Sequence, residues 1–287
     1  MPHGNMRPIF CIDITADKKN DTLNGEEFIT RTASQNAVEE YEEKQENFDR
    51  TIEKSKLPLW LRIVEYLFGI YALIVASSVI RVGFGTAMKN APWLVISAGF
   101  CGVIWVVIFI FSRAKEKRVL IDENADVQVE EMTENFIEIH KELGVPTDAQ
   151  NVDILAFRYK IKEGRIVPRT VAFQSTPFIN IEVKLFVEDD TLNIAELSNV
   201  YSVKISELKA IYTVKKRISV PSWNKEIGPK EDIYKPYKMT VNNVGDVYMK
   251  SYHVLELERD GAPYCIYFPC YELEHFERLT GLKAIEE

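Results

Sequence analysis

The spacing of hydrophobic positions changes along this chain, and each change marks a different kind of element. Near the N-terminus, Phe10-Cys-Ile-Asp-Ile14 reads as a short strand and the polar residues 17–27 as a loop. Val38, Tyr41, Gln45, Phe48 and Ile52 then recur at steps of three and four, with Ser34 placed to cap the start. That spacing predicts an amphipathic helix. Residues 63–80 (IVEYLFGIYALIVASSVI) carry Glu65 as their one charge, and residues 92–112 (PWLVISAGFCGVIWVVIFIFS) carry none. A soluble core helix is seldom apolar all round for so long, and about 20 apolar residues span a bilayer core. Both segments are therefore expected to be transmembrane helices. The short connection of residues 81–91 allows a tight antiparallel hairpin. Trp60 and Trp93 stand at span ends, where amphipathic aromatics collect, whereas Trp105 reads as apolar bulk. A further amphipathic helix is expected at Val129, Met132, Phe136, Ile139 and Leu143, stopped by Gly144 and Pro146.

Beyond Val152 the period falls to two, the signature of strands. Residues 154–161 (ILAFRYKI) alternate and lead into the turn 162–165. Strands follow at 178–187, 192–197, 201–205 and 211–218. The polar residues 221–238 hold Pro221, Gly228, Pro229 and Pro236 and read as a surface loop. Strands resume at 238–241, 247–257 and 264–268, with Arg259-Asp-Gly261 as a turn. The last helix, 272–280, aligns Leu273, Phe276 and Leu279 on one face before Gly281. The expected class is α+β: a transmembrane helical hairpin plus a cytoplasmic antiparallel β-barrel capped by a C-terminal helix. The expected divisions are an N-terminal arm (1–56), the hairpin (57–113), a helical linker (114–149) and the barrel (150–287).

The run LFVEDDTLNIAELSNVYSVKISELKAIYTV, with Val203, Ile205, Leu208 and Ile211 closing its strand, resembles the middle strands of bacterial membrane proteins that carry a pleckstrin-homology-like domain. The tail YCIYFPCYELEHFERLTGL resembles their last strand and capping helix. The chain as a whole is similar to two-span members from Gram-positive anaerobes. The resemblance rests on packing patterns. It implies a fold and a tether, and no activity. The long loop at 221–238 and the acidic N-terminal arm depart from the simplest members.

Charge refines this picture. Lys54, Lys56 and Arg62 precede the first span, Arg113, Lys115, Lys117 and Arg118 follow the second, and only Arg81 and Lys89 lie between. The positive-inside tendency then puts both termini in the cytoplasm, and the resemblance implies the plasma membrane. A formal net charge of -8 argues against a nucleic-acid partner. The four cysteines form no CxxC or Cys/His cluster, so neither a zinc site nor a disulfide framework is expected. No phosphate-binding loop, GxGxxG, HExxH or GxSxG occurs, and the four histidines are isolated. Asp189-Asp190 sits between two strands and reads as a turn. No enzyme and no cofactor is expected.

The candidate ligand residues are Lys160, Lys162, Arg165 and Arg169, around the turn after the first barrel strand. Lys160 and Lys162 share one strand face. Cations there suit an anionic lipid headgroup, or simply keep a strand edge soluble. Lys215-Lys-Arg217 with Trp223 and Lys225 is a second basic group suited to the inner leaflet. The function expected is a membrane-anchored binding or scaffold module. The alternative is an accessory subunit of a larger membrane complex, such as a transporter or envelope machinery. The partners are the bilayer, other membrane proteins and anionic headgroups.

Overall fold

The computed structural model describes residues 6–13, 25–55, 58–119, 123–162, 165–169, 177–221, 235–241 and 246–286. In chain order the elements are β1 (Arg7–Pro8), β2 (Cys11–Asp13), β3 (Ile29–Thr32), α1 (Gln35–Ser55), α2 (Leu59–Val82), α3 (Phe84–Asn90), α4 (Pro92–Val119) and α5 (Glu123–Glu142). They continue with β4 (Gln150–Lys162), β5 (Arg165–Pro168), β6 (Phe178–Glu188), β7 (Thr191–Ala195), β8 (Asn199–Lys204), β9 (Leu208–Val214) and β10 (Ile218–Pro221). The last are β11 (Thr240–Val241), β12 (Asp246–Met249), β13 (Tyr252–Arg259), β14 (Ala262–Pro269), α6 (Leu273–Thr280) and β15 (Ala284–Glu286). Contacts divide the chain into two compact units, one of residues 1–38 with 137–287 and the other of residues 39–136.

The first unit is built on a 12-stranded mixed sheet whose main path runs β15-β9-β13-β14-β4-β6-β7-β8-β3. The path is open. The expected closed antiparallel barrel is therefore replaced by a mixed open sheet ending in a C-terminal helix. Pairing explains the difference. β3 takes the free edge of β8, and β15 takes the free edge of β9. The two edges that closure would join are thus already occupied. Parallel pairs enter through β1 on β14, β2 on β4 and β15 on β9. The N-terminal segment is part of this sheet: Ile9, Phe10 and Phe28 are buried in its core.

The turns follow from local chemistry. Asp189 and Asp190 both adopt positive φ between β6 and β7, as do Asp260 and Gly261 between β13 and β14. Such turns match the twist of a two-residue hairpin. The expected strand 247–257 is split at Lys250-Ser251 into β12 and β13. β12 pairs with β10 and β11 in a separate 3-stranded sheet.

Strand alternation sorts the core into two clusters. Ile154, Leu185, Ile194, Val203, Ile211, Leu255, Ile266 and Phe268 point to one side, where Phe276 of α6 joins them. The rings of Phe276 and Phe268 are stacked with centroids 3.9 Å apart. Gly281, at φ 72°, ends α6 where a left-handed residue is needed. Leu155, Phe157, Tyr252, Val254 and Tyr267 point to the other side and pack with Ile218, Val220, Met239 and Met249 of the small sheet and its approach.

One residue stitches distant parts of the curled sheet. Arg259, at the end of β13, donates through Nε and one terminal nitrogen to the two oxygens of Glu207, at 2.9 and 2.7 Å. It also donates to the carbonyls of Ser202 on β8 and of Glu27, each at 2.9 Å. Its guanidinium lies 3.9 Å from the centre of the Phe28 ring. Side-chain bonds thereby link β13 to β8 without backbone pairing.

In the second unit, α2 and α4 form an antiparallel pair with α3 in the connection. Tyr41 of α1 meets Phe136 of α5, with ring centroids 6.1 Å apart. At this position the apolar stripe of α1 meets another helix of the same unit.

Candidate functional site

Two regions stand out, the helical pair of the second unit and the β4–β5 hairpin of the first. Apolar stretches of 20 residues (Ile63–Val82) and 21 residues (Pro92–Ser112) are long enough to cross a bilayer. Only 6% of each apolar window is buried. That low burial departs from a soluble core helix, whose apolar face is covered by protein. The helices contact each other through small residues and matched hydroxyls. A Cβ at Gly69 would lie 2.9 Å from Nε1 of Trp105, so the glycine makes room for the indole. Trp105 is thus a packing residue of the hairpin, beyond the apolar bulk that sequence alone assigns it. The Tyr71 and Ser97 hydroxyls are 2.8 Å apart. Trp60 and Trp93 are exposed near the helix starts. The connection 81–91 holds α3, a compact form of the expected tight loop, entered through Gly83 at φ 86°.

The second region is the β4–β5 hairpin. Its register sets Lys162 opposite Arg165, Lys160 opposite Val167 and Tyr159 opposite Pro168. One further step along, the Arg169 N–H donates to the Arg158 carbonyl at 3.0 Å. Lys160 is partly exposed, and Lys162 and Arg169 are exposed. The backbone therefore brings all four predicted positions onto one short hairpin, with Lys162 and residue 165 as direct cross-strand neighbours. Like charges facing each other across strands are unfavourable without a counter-charge.

Sequence reasoning missed Arg158. It is buried, donates to the Phe178 carbonyl at 3.2 Å, and has its pKa lowered by that burial. The signal was present, since alternation puts positions 158, 160 and 162 on one face of β4. Two members of the second basic group have partners within the protein. Lys215 pairs with Glu286 at 2.7 Å, and the Arg217 guanidinium lies 4.7 Å from the Tyr248 ring centre. Trp223 and Lys225 lie outside the described residues.

Three further titratable groups, His253, Cys265 and Cys270, are embedded in packing. His253 is buried, with Nδ1 3.2 Å from the Thr213 hydroxyl, and burial drives its pKa down to about 4. Cys265 and Cys270 are buried free thiols, and burial pushes them up to about 12 and about 11. Such thiols stay protonated near neutrality and are poor nucleophiles. Among the described residues, no group of three or more His, Cys, Asp and Glu is arranged to hold a metal ion. No family model, curated protein or solved structure matches the chain.

Proposed function

We propose that this chain is a membrane-anchored binding or scaffold module without catalytic chemistry. The α2–α4 hairpin crosses the plasma membrane and leaves both termini in the cytoplasm. The sheet unit then acts as a pleckstrin-homology-like domain at the inner surface. The observation that carries this reading is the exposure of two adjacent helices that are apolar on every face. In water such a surface would drive aggregation; in hydrocarbon it is satisfied. The pleckstrin-homology-like comparison is supported by strand succession: β4, β6, β7 and β8 form one meander, β9, β13 and β14 another, and α6 follows.

Lys160, Lys162, Arg165 and Arg169 are the proposed ligand residues, and an anionic lipid headgroup is the proposed ligand. Opposed cations on one hairpin favour a shared counter-anion. A reporter active only in the cytoplasm, fused after Glu287 or inserted at Gly85, tests the anchoring. Activity at Glu287 and silence at Gly85 is the expected pair; the reverse overturns it. Titrating a soluble short-chain phosphatidylserine into the detergent-solubilised chain tests the ligand. Binding should weaken with salt and vanish on charge reversal at Lys160 and Lys162. Salt-independent binding, or none, contradicts it.

A second reading, an accessory subunit of a larger membrane complex, is favoured by Gly99. A Cβ built there meets nothing within 4 Å, so this small residue is unused by the hairpin and open to another helix. A stoichiometric protein partner retained in mild detergent, and lost on Gly99→Leu, would favour it.

A further inference from the structure

The approach to α6 buries a carboxyl group among other carboxyl groups. Glu272 closes the single turn between β14 and α6 and is only 8% exposed. Its Oε1 accepts the Asp153 backbone N–H of β4 at 3.0 Å. The Asp153 carboxylate lies beside it and accepts the Tyr271 hydroxyl at 2.6 Å. Glu182 of β6 stands directly opposite Asp153 in the β4–β6 register. On the same face of β6, two residues on, is Lys184. Tyr237 is the titratable neighbour from the turn before β11, and Glu274 is the acidic neighbour on α6 itself. Among the described residues Glu272 forms no ion pair.

We propose that Glu272 is a proton-dependent catch that holds α6 on the sheet when protonated and loosens it when ionised. Three features of the geometry support this. The carboxyl is removed from water, its nearest charged neighbours are like-charged, and its one bond from the protein comes from a backbone N–H. An ionised group in that position has its charge poorly compensated. Burial first, then Asp153 and Glu182, pushes the Glu272 pKa up to about 7, against the partial relief of the Asp153 N–H. The folded value lies above that of an exposed glutamate. The stabilisation is therefore full in acid and is lost as pH rises toward and through neutrality. The element affected is the one that seats Phe276 in the core, so the catch couples proton concentration to the closure of the sheet unit. His253 also lies near α6, facing Glu277, and acts in the opposite sense below neutrality. The effect of Glu272 must therefore be read as a ratio against a variant lacking it.

The experiment is hydrogen exchange by mass spectrometry on the full chain in mild detergent, following peptides that cover residues 268–286 from pH 5 to 8. Opening constants are taken after correction for intrinsic exchange. The ratio of wild type to Glu272→Gln should rise roughly fifty-fold across that range. Glu274→Gln, altering an exposed residue of the same helix, should leave the wild-type profile in place. Glu182→Gln removes one like charge and should shrink the rise. A flat ratio for Glu272→Gln overturns the proposal. Should that variant fail to fold, Glu272→Met takes its place in the ratio, and a flat ratio there overturns the proposal.

Discussion

Replacing Arg259 with Met tests the stitching of the sheet unit. The side chain is 19% exposed and its partner Glu207 18%, so solvent screens the pair only in part. Arg259→Met removes a two-pronged bond to Glu207 and two charge-assisted bonds to the carbonyls of Ser202 and Glu27. It also removes the cation from the face of Phe28. Breaking a buried pair typically costs about 3–5 kcal/mol. Here Glu207 keeps the Lys204 N–H at 2.9 Å, and the carbonyls can rehydrate. The low end, about 3 kcal/mol, is expected. Arg259→Lys should lose about 2 kcal/mol, because a point charge cannot reproduce the planar fork. Arg259 is also the main reason the Glu207 carboxyl titrates below its usual range. The folded value is depressed, so the pair contributes fully above the unfolded carboxylate pKa and fades as pH falls through the folded one. Urea unfolding in mild detergent, followed by the near-ultraviolet circular dichroism of the buried tyrosines, measures the loss. A cost below about 1 kcal/mol, or a Glu207→Gln/Arg259→Met cycle with no coupling, would refute the reasoning.

Deleting residues 1–33 removes Ile9, Phe10 and Phe28 from the core, at about 1.5–3 kcal/mol each. Residues 137–287 alone should then melt without cooperativity, and residues 6–38 joined to them by a flexible linker should restore a sharp transition; equal melting curves would count against a structural role for the N-terminal strands. Phe276→Asp puts a charge against Phe268 in a fully buried position and should abolish folding of the sheet unit, read as loss of the same dichroism. His253, whose pKa burial depresses to about 4, contributes stability that is complete above its unfolded pKa and is lost as pH falls toward 4. His253→Phe should remove about 3 kcal/mol of that acid dependence, and urea midpoints from pH 4 to 7 that shift in parallel for both proteins would contradict it.

How much of this was legible in sequence depended on whether the signal was local. The two apolar helices, α5 with its stop at Gly144, and α6 with Phe276 inward follow from spacing within single elements. So do the turns at Asp189-Asp190 and Asp260-Gly261. The strand expected at residues 10–14 is present as β2, whereas β1 and β3, of 2 and 4 residues, were not foreseen. They pair with partners far away in sequence, and a period cannot be read from so few positions. The open sheet was illegible for the same reason, since closure depends on which strand takes the edges of β8 and β9. Arg259 sits beside a turn, where its sequence context predicts solvent. Glu272 reads as an ordinary acidic residue at a helix start, and only the packed structure reveals its burial. The cationic hairpin was visible as a cluster of charges, and the register added the cross-strand opposition and Arg158.

The claim on which the account rests is that α2 and α4 lie in hydrocarbon. Membranes from cells expressing the full chain, washed in alkaline carbonate and sedimented, test it directly. Replacing Ala72, Val75, Val103 and Val107 with Asp provides the comparison, because charges at mid-span are incompatible with a bilayer core. The account predicts that the wild-type chain stays in the pellet and the substituted chain does not. Release of the wild-type chain into the supernatant as a folded protein would contradict it.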